Sequence, residues 1–100
     1  MDISTTLDGA SATMAIAGTL TVASAPALEA AFADLPEEVS DLTVDLAELE
    51  YVASAGLRVI VAQAKNMLKS GGSMRITNPN DEVFEVFDVT GLVDILDIER

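Results

Sequence analysis

The sequence predicts an α/β domain: a mixed sheet of four to five strands, an antiparallel hairpin at its N-terminal edge and about three helices. Three observations predict it. In the stretch 42–72, Leu42-Thr43-Val44-Asp45-Leu46 alternates at the period of a strand, and Leu57, Ile60, Val61, Ala64 and Leu68 then recur at helical spacing. A chain of 100 residues that is 50% apolar forms one domain, able to bury about 60–70% of its unfolded surface around one core. Asp8-Gly9 stands between two short β-type runs, and glycine's tolerance of positive φ favours a tight hairpin there.

Residues 3–7 and 12–17 are the hairpin strands, and Gly18 ends the second; residues 19–23 either extend it or form a loop. Ser24 is placed as N-cap of the first helix, because Pro26 falls in the first turn where a missing N–H costs nothing. Leu28, Ala31, Phe32 and Leu35 form its apolar stripe, and Pro36 closes it. Glu37, Glu38 and Asp41 belong to a solvated loop. After the 42–46 strand, residues 47–51 read as a loop carrying Glu48 and Glu50, too few carboxylates to gather a metal ion. The second helix begins near Ser54. Lys65 and Lys69 complement its dipole, and Gly71-Gly72 supplies a left-handed exit. Residues 73–77 form a strand, Asn78-Pro79 a turn, and Val83, Phe84, Val86 and Phe87 the inner face of a third helix that Gly91 stops. Residues 93–98 suggest a last short strand.

Charge narrows the function classes. The formal net charge is −12, and ten acidic residues precede the first cation, Arg58. Such a surface repels phosphate backbones and anionic lipid, so neither nucleic acid nor a membrane is an expected partner. The acidity either keeps the domain soluble or steers a basic protein to it. Without cysteine or histidine, thiolate metal sites and the usual neutral-pH general base are absent, and no nucleophile–base pair stands out. No enzyme activity, metal or cofactor is expected. The alanine-rich run 12–31 mimics a leader, but Asp2 and Asp8 precede it with no cation, the reverse of a secretory n-region. A cytoplasmic location is expected.

Ser54 is the residue of interest. It stands alone among small residues in Tyr51-Val52-Ala53-Ser54-Ala55-Gly56, where strand gives way to helix. One reading makes it a helix N-cap, worth about 1 kcal/mol. Another makes it a phosphate acceptor, because unpaired N–H groups at a helix start favour an anion; the two are compatible. Gly56 costs a helix about 0.5–1 kcal/mol against alanine. It serves either close packing on the sheet or the close approach of a partner. Arg58, one turn beyond Ser54, either meets a phosphate there, pairs with a carboxylate such as Glu50, or lies in solvent.

The run Tyr51-Val52-Ala53-Ser54-Ala55-Gly56-Leu57-Arg58, placed between Val44-Asp45-Leu46 and a helix closed by Gly71-Gly72, resembles the signature of the STAS domain in bacterial anti-sigma factor antagonists. The resemblance covers nearly the whole chain, including Gly18 and Thr90-Gly91-Leu92. It differs from many members in having Ala53 before the serine and Thr19-Leu20-Thr21 after Gly18, where they carry carboxylates. The resemblance implies a STAS-like fold and phosphorylation of Ser54 by an anti-sigma factor serine kinase, reversed by a serine phosphatase. The implied partner face comprises Thr21, Val22, Ser24, Tyr51, Val52, Ala53, Ala55, Gly56, Arg58 and Asn78, from three loops expected on one rim of the sheet. The alternative is a non-phosphorylated STAS subunit of a larger complex, for lipid transport or signalling, in which Ser54 is only a cap.

Overall fold

A computed structural model describes residues 1–100. The order of elements is β1 (Asp2–Asp8), β2 (Ser11–Leu20), α1 (Ala25–Ala33), β3 (Asp41–Asp45), β4 (Leu49–Val52), α2 (Ser54–Lys69), β5 (Ser73–Thr77), α3 (Asp81–Val89) and β6 (Asp97–Glu99), with a single 3-10 turn at Leu92–Asp94. The expected hairpin and three helices are present. The sheet has six strands rather than four or five, because Leu49–Val52, read as loop from sequence, pairs with β2.

β1 and β2 run antiparallel through a two-residue loop, Asp8 facing Ser11, in which Gly9 takes φ 61°. Thereafter every pairing is parallel: β2 with β3, β3 with β5, and β5 with β6. Gly18 does not end β2. At φ 89° it forms a bulge, donates its N–H to the Glu48 carbonyl at 3.0 Å, and hands the strand from β3 to β4. Below the bulge β2 is held by β3, above it by β4.

The three helices contribute to one apolar cluster with the sheet: Leu28 and Phe32 from α1, Leu57, Ile60 and Met67 from α2, and Val83 and Phe87 from α3, against Met14, Leu42, Val44 and Ile76. The opposite face of β3 and β5 carries a polar ladder. Ser73 donates to Asp41, Arg75 to Thr43, and Asn78 to Asp45, at 3.3, 3.2 and 3.2 Å. That one-sided burial explains why β3 alternates apolar and polar residues, where a parallel strand covered on both faces would read as continuously apolar.

α2 ends in a Schellman motif. The Gly71 and Gly72 N–H groups reach back to the carbonyls of Leu68 and Met67 at 3.1 and 2.8 Å, with Gly71 at φ 81°. Its inward residues include Met67, 5% exposed, while Leu68 is 72% exposed, so the stripe expected to run through Leu68 turns one residue earlier. α3 is capped by Asn80, whose Oδ1 accepts the Val83 N–H at 2.8 Å and whose Nδ2 donates to the Leu49 carbonyl at 3.1 Å. One side chain thus starts a helix and ties it to β4.

Candidate functional site

The rim is built where β2 and β4 end side by side. Leu20 pairs with Val52, and the Ala53 N–H donates to the Leu20 carbonyl at 2.8 Å, so the β2–α1 and β4–α2 loops leave the sheet together. Ala53, extended at φ −93° and ψ 166°, is the N-cap of α2 and offers no side-chain oxygen. Ser54 is therefore the first helical residue rather than the cap, which corrects the capping reading. Its hydroxyl is exposed and accepts no N–H from its own helix. The N–H groups of Ser54, Ala55 and Gly56 have no acceptor within the helix, as at any helix start.

Gly56 points inward. It is buried, and a methyl group added there would fall 2.4 Å from Leu20 Cγ and 2.6 Å from Leu20 Cδ2. Of the two readings of this glycine, close packing of the helix on the sheet is the one the geometry carries. A direct partner contact through Gly56 is corrected accordingly. Val52, 3% exposed beneath the rim, is corrected for the same reason.

Ser24 flanks α1 at the N-cap position without capping it. Its Oγ instead accepts the Thr21 N–H at 2.8 Å, folding residues 21–24 into a tight turn and leaving Val22 75% exposed at its tip. Tyr51 is 53% exposed on β4, Arg58 is exposed one turn along α2 from Ser54, and Ala53 and Ala55 are half-buried between them.

Asn78, expected on the same rim, is not brought there. At φ 57° it turns its amide onto Asp45, whose Oδ1 also accepts the Ala47 N–H at 3.0 Å. The length of β4 separates that level from Val52, roughly 10 Å at 3.3 Å per residue. In its place the turn after α3 comes up beside Ser54. Thr90 and Leu92 line a groove with Ser54, Leu57, Arg58, Val61, Ala62 and Lys65. The resemblance took in Thr90-Gly91-Leu92, but nothing in those residue types marks a site. No group of three carboxylates is placed to hold a metal ion, and no helix is long and apolar enough to cross a membrane.

Fold and site define a one-sided α/β layer that presents a serine at the mouth of its second helix, between an exposed valine, a tyrosine and an arginine. The chain belongs to the STAS domain family, whose model described as "Mlab, STAS domain" matches residues 3–97. It is 41% identical over 83 residues to the anti-sigma-B factor antagonist of Bacillus subtilis (strain 168), a match covering 83% of this chain and 76% of that one. Its fold resembles that of the anti-sigma factor antagonist SpoIIAA in its unphosphorylated form, with a TM-score of 0.82, 16% identity, and 97% of this chain and 87% of the other covered. The Bacillus cell fate determinant SpoIIAA in the phosphorylated form gives 0.77 at 14% identity, covering 97% and 90%.

Proposed function

We propose that this domain is an anti-sigma factor antagonist, which binds an anti-sigma factor serine kinase through the Ser54 rim and is released when that kinase phosphorylates Ser54. The observation that carries the reading is the Ser54 hydroxyl, exposed and free of a capping role at a helix start. Support comes also from the Bacillus subtilis relative, named an anti-sigma-B factor antagonist, and from SpoIIAA, solved in both phosphorylation states. A serine phosphatase restores the binding form, and the exchange takes place in the cytoplasm without nucleic acid or membrane. The domain carries out no reaction of its own.

The physical effect is electrostatic. A phosphate on Ser54 adds about −1.5 to −2 charges at the centre of a docking face. Burying such a charge against a partner with no matching donor costs roughly 2–5 kcal/mol, which weakens binding by a factor on the order of tens to thousands. Ser54 lies outside the core, so the domain need not refold to let go.

One observation favours a second reading. Ala53, rather than a carboxylate or hydroxyl, precedes the serine, and a STAS subunit that docks into a larger assembly without being phosphorylated needs nothing more. Incubation with ATP and the cognate kinase separates the two: the intact protein gains the mass of one phosphate, and Ser54→Ala gains none. A kinase active on another substrate that leaves the wild-type mass unchanged overturns the first reading in favour of the second.

A further inference from the structure

Beside α2 runs an open groove of about 420 Å³ that the rim reading does not use along most of its length. Leu57, Val61 and Leu92 give it an apolar floor, and Arg58 and Lys65 stand along it. The two cations are seven residues apart on one helix, two turns or roughly 10 Å. Two of the five basic residues of the chain line this groove and none of the seventeen acidic ones does. Arg100 with Asp81 is the one ion pair in the molecule, so no carboxylate within 4.0 Å engages either Arg58 or Lys65. In a domain of net charge −12 this is a local reversal of sign over an apolar strip.

The geometry points to a docking groove for an amphipathic helix of a partner protein, whose inward face carries apolar side chains and two carboxylates about two turns apart. Ser54 to Lys65 spans eleven residues, about 16 Å or three helical turns, a length that the i, i+3, i+4, i+7 anchors of a docked helix match. The stems of Arg58 and Lys65 lie over apolar surface while their heads reach the carboxylates. A uniformly acidic segment is disfavoured by the rest of the surface. Screening confines each charge to about 8 Å at physiological salt, so the inward pair meets the cations and a basic outer face meets the acidic surroundings. The same net charge disfavours an anionic membrane as occupant. The inference shares Ser54 and Arg58 with the rim reading but does not require the serine to be modified.

The test titrates isotope-labelled protein with a synthetic helical peptide of about five turns, built with a leucine stripe, two inward glutamates seven residues apart and lysines outside. A sibling peptide has the two glutamates replaced by lysine. The expected result is saturable chemical-shift change at Leu57, Val61, Lys65 and Leu92, with the sibling binding about tenfold more weakly or worse. In the Arg58→Glu/Lys65→Glu protein that preference inverts. Equal binding of the two peptides, shifts located elsewhere, retention of the preference in the swapped protein, or no saturation by about 1 mM, the weak limit of specific recognition, overturns the proposal. So does co-sedimentation of the protein, with no peptide present, with phosphatidylglycerol vesicles. Peptide binding together with a kinase that ignores Ser54 sinks the rim reading and leaves this one standing; phosphorylation without peptide binding does the reverse.

Discussion

Replacing Gly56 by alanine separates packing from partner contact at the heart of the site. In a helix exposed to solvent the change stabilises by about 1 kcal/mol, through propensity alone. Here the new methyl would stand 2.4 Å from Leu20 Cγ, and Leu20 is 0% exposed. The branch point of a fully enclosed leucine must retreat by more than an ångström, or the first turn of α2 must lift. Overpacking of that kind costs about 1–3 kcal/mol, and a shift this large belongs in the upper half of the range. The net expectation is a loss of about 1–2 kcal/mol, which for a domain of this size lowers Tm by roughly 4–16 °C. Urea unfolding gives the free energy, and a double-mutant cycle identifies its origin. Leu20→Ala alone leaves a cavity and costs about 2–5 kcal/mol. Combined with Gly56→Ala the two should be sub-additive by at least 1 kcal/mol, since the new methyl occupies space the leucine vacated. A single variant more stable than wild type, with strict additivity in the cycle, would refute the packing argument and return Gly56 to the partner surface.

Gly72→Ala meets backbone rather than side chain, its methyl 2.4 Å from the Ser40 carbonyl oxygen; a loss above about 2 kcal/mol is expected, read by thermal unfolding, and a neutral result contradicts the geometry. Asn80→Ala removes the cap of α3 and its tie to Leu49 together, which should cost about 1–2 kcal/mol and speed hydrogen exchange at the Val83 amide. Gly18→Ala has room for its methyl, with Met1 Cα 3.5 Å away, but is held at φ 89°; about 1–2 kcal/mol of strain should appear as faster exchange at the Ala53 amide, which the register above the bulge secures.

The elements legible in the sequence are those whose burial follows a simple period. β3 alternates because one face of the sheet is open, and Leu42 and Val44 bury where alternation puts them. β4 was illegible because Leu49-Glu50-Tyr51-Val52 buries only its two ends, a pattern that fits neither strand nor helix. It becomes a strand because β2 changes neighbour at Gly18, a tertiary event. Ser54 stands out in the sequence by its isolation among small residues, but its place in the first turn rather than at the cap does not, since Ala53 takes the extended backbone conformation of a cap without a capping side chain. Ser24 departs from its expected role similarly: its oxygen accepts the Thr21 N–H, four residues before the helix begins. Thr90 and Leu92 could not be placed at all, because their approach to α2 depends on how α3 packs.

The bulge in β2 explains why the candidate site sits at one corner rather than along the rim. Parallel strands of equal length would align the ends of β2, β3 and β5, and the three loops would form a single ledge with Asn78 on it. Instead β3 stops at Asp45, where its carboxylate is occupied by Ala47 and Asn78, and β4 rises from that step against β2 alone. Ser54 is thereby lifted clear of the Asp45 step, toward Val22 on one side and the Thr90–Leu92 turn on the other. A serine at the level of Asp45 would lie beside a carboxylate already bound in the polar ladder, and a phosphate there would be repelled. Raised by one strand length, it stands instead at the start of α2, where the first N–H groups lack helical acceptors and where Arg58 and Lys65 line the same groove with no carboxylate among its walls.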